Sequence, residues 1–338
     1  MKKKEKKIAV ILLNFNGEKL LQKFLPYIIR FNDFKISSIY LIDNQSTDKS
    51  VEICKTKFPE VTIIKNKKNL GYAAGYNEGV KNIKSDYFIF INTDVLVTKN
   101  WLIPLFNKME SNNNIGACQP KILSEKKKNY FEYAGASGGY IDTLGYPFCR
   151  GRIFNYIEKD KGQYNDEKEV FWTSGACMMI RSKIFNDLNG FDKDFFAHME
   201  EIDLCWRIKR LGYKNYCIPN SKIYHVGGQT LSYDNPKKTY LNFRNNLIMI
   251  CKNDTIANLL YKIPIRFLLD ILASLKIFIE KKSFKHFYSV LKAYLSFFVS
   301  IPLIFSKKRN NKLNHIKLNN LIIPFEHFIK GKKRFSDL

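Results

Sequence analysis

The chain is poor in acid. Against 56 Lys and Arg it sets only 31 Asp and Glu in 338 residues, a formal net charge of +25. A surface this basic calls for an anionic partner: nucleic acid, acidic lipid headgroups or a phosphorylated substrate. Cysteine is scarce and unpatterned: Cys54, Cys118, Cys149, Cys177, Cys205, Cys217 and Cys251 are odd in number and contain no C-x-x-C pair. Neither a disulfide framework nor a zinc site follows, and free thiols in a reducing cytosol are expected. Long hydrophobic runs are missing too. None reaches the ~18 uncharged apolar residues of a spanning helix, and residues 287–305 come nearest, interrupted by Lys292. The basic start Met1–Lys7 leads into Ile8–Leu13, which Asn14 ends. That core is too short for a signal peptide and has no cleavage site, so nothing directs secretion. Internal repeats and RNA- or DNA-binding motifs are absent as well, and no nucleic-acid partner is expected.

What is present excludes disorder, since 45% of residues are hydrophobic and 14% aromatic, enough for one large domain with an appendage or for two ordinary domains. Ile8–Leu13, Ser38–Ile42, Val61–Ile64 and Tyr87–Ile91 are short, β-rich and bounded by Asn, Asp or Gly, as buried parallel strands are. Helical patterns over about 17–31, 47–57 and 73–84 separate them. This alternation predicts an α/β fold, a Rossmann-like, mostly parallel sheet flanked by helices, with its ligand at the carboxyl ends of the strands. After Asp94 the pattern predicts a helix over Trp101–Ser111, a strand over Phe171–Arg181 and a helix over Glu201–Leu211, which Gly212 ends. From about Asn258 the composition shifts to Leu, Ile and Phe at helical spacing, with Lys262, Arg266, Lys276, Lys281, Lys282, Lys285 and Lys292 interspersed. The division is therefore residues 1–257, comprising halves of about 7–95 and 96–250, and a basic amphipathic helical region 258–338. Two readings of that region stay open: helices in a membrane interface with lysines at the headgroups, or helices that complete a core beneath Lys and Arg stems.

Three strand ends deliver polar residues to one edge: Asn14-Phe-Asn16-Gly17, Asp43-Asn-Gln-Ser46-Thr-Asp48 and Asn92-Thr93-Asp94. Turn and cap chemistry accounts for Ser46 and Asp48. Asp94 is suited to a hard divalent cation shared with substrate phosphates. The segment Asn69-Leu-Gly71-Tyr-Ala-Ala-Gly75-Tyr-Asn77-Glu-Gly79 opens a helix but matches neither nucleotide-binding fingerprint. Its small residues serve either anion approach or close packing. Glu200, Glu201 and Asp203 crowd one helix start, so that one acid can line a pocket while its neighbours cap or pair with Arg207. His225 is open to a structural or a ligand role. No nucleophile elbow, H-E-x-x-H or catalytic Cys/His pattern occurs, so covalent catalysis is not indicated.

Taken in order, Val10–Asn16, Asp43–Asp48, Asn69–Asn77, Asn92–Asp94, Trp172–Ala176, Gly190-Phe-Asp192, Glu200–Asp203 and His225 resemble the family 2 glycosyltransferases of GT-A fold, especially the rhamnosyltransferase-like enzymes that build bacterial surface polysaccharides. The resemblance spans about residues 7–250. It implies an inverting enzyme that moves a sugar from a nucleoside-diphosphate sugar, UDP- or dTDP-linked and with dTDP-rhamnose in view, to a saccharide or polyprenyl-linked saccharide. A nucleotidyltransferase or a non-catalytic nucleotide-binding module is the alternative. By the same resemblance, Asn14, Asn16, Asp43, Asn69, Gly71, Gly75, Asn77, Asn92 and Thr93 border the nucleotide sugar. Asp94 and His225 hold Mg²⁺ or Mn²⁺, Asn92 replacing the first acid of the family's D-x-D motif. Glu201 is the general base, and Trp172, Glu200 and Asp203 face the acceptor, with a core role for Trp172 equally open. The implied place of work is the cytoplasm, peripheral on the inner, anionic face of the membrane.

Overall fold

A computed structural model describes residues 7–227, 234–309 and 316–338, with the side chains of 307–309 left aside. Most of the basic start Met1–Lys7, Gly228 after His225, and the side chains of Lys307–Arg309 therefore lie outside the described residues.

Strands β1 (Ile8–Asn14), β2 (Ser37–Asp43), β3 (Val61–Lys65) and β4 (Tyr87–Ile91) coincide with the four β-rich runs. Helices α1 (Glu18–Arg30), α2 (Ser50–Lys57) and α3 (Gly71–Gly79) alternate with them. The chain continues through β5 (Val95–Val97), α4 (Leu102–Ser111) and β6 (Ile115–Ser124). A small antiparallel sheet follows: β7 (Gly139–Ile141), β8 (Pro147–Cys149), β9 (Arg152–Ile153) and β10 (Tyr156–Ile157). Then come β11 (Lys168–Val170), β12 (Cys177–Arg181), α5 (Ser182–Asp187), α6 (Glu200–Arg210) and β13 (Lys214–His225). Three helices close the fold: α7 (Pro236–Asn253), α8 (Ile256–Lys281) and α9 (Phe284–Arg309).

The large sheet runs β11-β13-β6-β12-β4-β1-β2-β3, with β5 on β13. The β4-β1-β2-β3 half is wholly parallel, as is the β6–β13 pair, while β12 enters antiparallel between β4 and β6. β1 is buried on both faces. Its Ile8, Val10 and Leu12 meet Leu21, Leu25 and Ile28 of α1 on one side, while Ala9 and Ile11 share the other core with Ala73 and Tyr76 of α3. The register sets Asn14 opposite Asp43, which brings the polar strand ends level.

The expected strand over Phe171–Arg181 is shorter. Residues 171–176 bend away, with Trp172 bridging to Gly139, and only Cys177–Arg181 pairs with β4. β6 and β13 stand outside the sequence reading, and both contain a proline, Pro120 and Pro219. Proline removes a ladder donor, and β13 shifts register between Ile218 and Lys222.

The C-terminal region wraps back on the rest of the chain. Thr239 and Tyr240 of α7 bond His286 and Ser296 of α9, and the last segment docks on β7, where Asp142 accepts from the Ile323 N–H. Helix α8 is built inside out. Lys262, Arg266, Asp270 and Ser274, spaced by four, are its buried stripe. Lys262 pairs with Asp254 at 2.6 Å and Arg266 with Asp270 at 3.1 Å, while Tyr146 and Tyr294 donate to Asp270. Leu260, Leu268, Leu272 and Ile279 point outward at 61% exposure or more. The expectation that all these cations lie at headgroups therefore fails for Lys262 and Arg266, whose partners are inside. Helix α9 holds the one stretch among the described residues, Phe284–Ser306, long and apolar enough to cross a membrane, a third of its apolar window being buried.

Candidate active site

Level strand ends, the start of α3, the start of α6 and the end of β13 enclose a cleft of about 1850 Å³. Asn16, Asn69, Gly71, Asn92, Thr93, Asp94, Glu200, Glu201 and His225 line it. At its floor Asn44 donates to Asn69 Oδ1 at 2.9 Å and to the Gly71 carbonyl at 3.0 Å, and it accepts from Leu70 N–H and Asn66. This amide ties β2 to the start of α3. Gly71 has φ +74°, and a Cβ there would fall 2.6 Å from the Phe196 ring, so only glycine lets the 196–199 loop close over the helix start.

Four expected site residues stand behind this surface. Asn14 spends its amide on Ser46 and Ser50, both at 2.9 Å, and Asp43 accepts from Ser46 N–H at 3.1 Å. Asn77 bonds both backbone groups of Phe191. Gly75 is there for packing, because a Cβ would meet Asn44 and Leu13 at 3.0–3.1 Å. Trp172 lines the cleft but is almost wholly covered. It is 3% exposed, its Nε1 donates to Tyr140 O, and its ring lies on Gly139, so no open face remains for stacking on a sugar.

Asp203 also leaves the acceptor side. Fully buried, it accepts from Arg207 Nε at 2.7 Å, Lys252 Nζ at 2.8 Å and Asn253 at 2.8 Å. These cations hold its carboxyl below the ordinary range despite burial, which by itself raises it. Breaking a buried pair leaves uncompensated charge. Asp203→Ala is thus expected to lower unfolding free energy by about 3–5 kcal/mol, measured by urea denaturation.

At the end of β13, His225 Nε2 lies 3.1 Å from Asp94 Oδ1, and Asn92 Nδ2 is 3.4 Å from the same nitrogen. Behind the ring, His225 Nδ1 is 3.4 Å from Glu132 Oε2, a residue no sequence pattern singles out. Burial alone pushes the imidazole down, but Glu132 and Asp94 outweigh it and raise it to about 10. Asp94 is buried, which raises its carboxyl, yet the charge and hydrogen bond of His225 hold it below the usual range. Among the described residues no three His, Cys, Asp or Glu side chains form a complete ligand set. A carboxylate oxygen, and an imidazole nitrogen once its proton gives way to the incoming cation, nevertheless fit a metal that completes its shell with phosphate oxygens and water.

At the start of α6, Phe196, His198 and Met199 all have positive φ, 62°, 71° and 73°, a conformation that costs non-glycine residues of order 1–3 kcal/mol each. Asn245 holds the turn by donating to the carbonyls of Phe195, Ala197 and His198 at 2.8–2.9 Å. Strain held in this way aims Glu200 and Glu201 into the cleft. Each has a buried Oε2 without a partner. Burial raises Glu201 to about 6, against bonds from backbone N–H groups that lower it. Glu200, 4% exposed, is pushed up by burial and then by the charge of Glu201.

Residues 9–188, more than half of the chain, match the model of glycosyl transferase family 2. The chain belongs to this family. Among curated proteins, this family 2 glycosyltransferase is similar to the N-acetylglucosaminyl-diphospho-decaprenol L-rhamnosyltransferase of Mycobacterium tuberculosis, 24% identical over 233 residues, 64% of this chain and 75% of that one. Rhamnosyltransferase WbbL of Escherichia coli is 24% identical over 158 residues, 46% of this chain and 59% of that one. Two solved structures share the fold. S. aureus TarS 1–349 in complex with UDP-GlcNAc has TM-score 0.56 at 13% identity, covering 89% of this chain and 83% of that one. Mannosyltransferase PcManGT from Pyrobaculum calidifontis, in complex with GDP-Man and Mn²⁺, has TM-score 0.54 at 12% identity and 87% coverage of both. The chain is a GT-A glycosyltransferase.

Proposed function

We propose that the cleft transfers a sugar, with inversion, from a nucleoside-diphosphate sugar to a saccharide carried on a lipid. The observation that carries this reading is the pairing, in one cleft, of the Asp94–His225 end with the carboxylate of Glu201, whose buried Oε2 has no partner. Asn16, Asn69, Asn92 and Thr93 would border the nucleotide sugar. Asp94 and His225 would hold Mg²⁺ or Mn²⁺, which supplies positive charge against the diphosphate when bound, and Glu132 would orient the His225 ring from behind. Glu201 takes the proton of the acceptor hydroxyl as its oxygen attacks the anomeric carbon, and the nucleoside diphosphate departs with the electron pair of the broken bond. Glu200, more deeply buried, is pushed further toward its protonated form and is not the proton acceptor. The name of the mycobacterial relative supports a lipid-diphosphate acceptor and L-rhamnose as the sugar.

A thermal-shift screen of nucleoside diphosphates with Mn²⁺ tests the donor side. A ligand at 100 times its Kd stabilises by about 2.7 kcal/mol, so UDP or dTDP is expected to raise Tm clearly, and a flat response to both would contradict the reading.

The same reading places the enzyme on a membrane surface. Nineteen of the 25 exposed large hydrophobic side chains among the described residues lie between Ile256 and Ile329, and residues 251–338 carry 17 Lys and Arg against five Asp and Glu. A helix that buries Lys262, Arg266 and Asp270 while exposing leucines, as α8 does, is stable where its outer surroundings are apolar. Flotation with anionic liposomes checks this. The full chain is expected to float, the double variant Leu260→Asp with Val299→Asp to stay behind, and equal recovery would contradict the proposal.

A further inference from the structure

The cleft does not end at Glu201. It runs on between α8 and residues 322–329, where Ile265, Leu272, Phe325, Phe328 and Ile329 form an apolar wall. Where the polar part meets this wall stands Arg152, on β9 of the small sheet. It is 7% exposed and lines the cavity. One guanidinium nitrogen donates to Phe154 O at 3.2 Å and another contacts Cys149 Sγ at 3.4 Å, while the buried Nε has no partner. The ring of Tyr133 lies 4.4 Å beneath the guanidinium carbon. Among the described residues no carboxylate comes within ion-pair distance of it: Glu132, close enough for its charge to act on Arg152, is engaged by His225 and by the Ala134 N–H. Phe154, whose carbonyl Arg152 holds, packs its ring on His327 and Phe328 at 5.2 and 5.0 Å. The lone cation and the apolar wall are thus joined through one residue.

Burying a guanidinium without an anion is costly, and here the cost falls at the junction of a sugar-sized polar cleft and a greasy channel. We infer that Arg152 reads the phosphate of an acceptor whose hydrocarbon chain lies along α8 and residues 322–329, so that the first phosphate next to the chain, and not the sugar alone, selects the acceptor. The inference rests on the transferase reading above and adds to it the residues that recognise the lipid. It also gives the inside-out α8 a second use: Leu272 extends the channel toward the exposed apolar face, along which a lipid chain can slide in from the bilayer.

The test uses the full chain with its nucleotide site filled by Mn²⁺ and UDP or dTDP, and farnesyl diphosphate, farnesol and inorganic diphosphate as probes. Farnesyl diphosphate is expected to bind, with farnesol weaker by about tenfold or more, the loss of one charge-assisted contact, and inorganic diphosphate weak as well. Arg152→Gln is expected to abolish the preference for the diphosphate, and Arg152→Lys, which keeps the charge, to retain part of it. Phe328→Asp, a change at a half-exposed position, is expected to weaken both farnesyl compounds and leave inorganic diphosphate unmoved. The inference is overturned if farnesol binds as tightly as farnesyl diphosphate, if Arg152→Gln leaves the affinity unchanged, or if added nucleotide displaces the probe. Nucleotide binding is read in its own titration. A chain that binds UDP or dTDP but ignores farnesyl diphosphate loses this inference alone, whereas one that binds neither nucleotide loses the transferase reading and this inference with it.

Discussion

Glu201→Gln is expected to lower kcat by at least about 10² while leaving nucleoside diphosphate affinity unchanged, as read by steady-state kinetics and calorimetry on one preparation. The amide keeps the size and most contacts of the carboxyl but cannot take a proton. Glu200 and Glu201 are consecutive on α6, so their side chains diverge by roughly 100°, and their burial separates them further. Glu200→Gln is expected to cost less in kcat, because a residue that keeps its proton is already close to an amide in its hydrogen bonding. The pH profile gives the sign. Burial raises the Glu201 carboxyl to about 6, above the ordinary range, so the base form exists above that pH and kcat/KM falls as pH drops through about 6. In the Gln variant this inflection is expected to vanish. If Glu200→Gln is instead the dead enzyme and Glu201→Gln turns over normally, the base is Glu200.

Asp94→Ala is expected to abolish transfer and to remove the dependence of nucleotide binding on Mn²⁺, with the far-UV spectrum unchanged. Asp94 is a lone acid at its strand end, because Asn92 occupies the position two residues before it, and its carboxylate is the one that meets His225 Nε2. The substitution also leaves Glu132 as the remaining carboxylate beside His225, so the ring loses the acid partner of its Nε2 nitrogen. Wild-type activity and an unaltered metal response in this variant would show that the cation is held elsewhere.

Much of the fold was legible because β1 to β4 are short, rich in Ile, Leu, Val and aromatic residues and bounded by Asn, Asp and Gly, and because parallel register makes their polar ends converge. β6 and β13 were not legible: Pro120 and Pro219 interrupt runs that only their neighbours in the sheet hold extended. The site divides in the same way. Residues directly after a strand or at a helix start, such as Asp94, Asn69 and Glu201, reach the cleft as their position implies. Asn14, Asp43, Asn77 and Asp203 carry the same residue types at similar places, yet Ser46, Ser50, Phe191, Arg207 and Lys252 claim their polar atoms. Which partner an Asn or Asp finds is decided by tertiary contacts, and spacing along the chain does not encode it. Glu132 and Arg152 show the converse. They lie in the irregular, Gly-rich part of the chain, where no period marks them, and reach the cleft walls only because the small sheet folds against β6 and the C-terminal segment. Asn44 was nearer to view, sitting inside the Asp43–Asp48 motif with nothing in its spacing to set it apart from its neighbours.

One measurement bears most directly on the account: phosphorus NMR of the full enzyme turning over a nucleoside-diphosphate sugar with a lipid-diphosphate saccharide and Mn²⁺. The account predicts that nucleoside diphosphate accumulates in step with glycosylated acceptor, and that Glu201→Gln stops both while the donor stays bound. Release of pyrophosphate in place of nucleoside diphosphate, or product formation at the wild-type rate by Glu201→Gln, would contradict it.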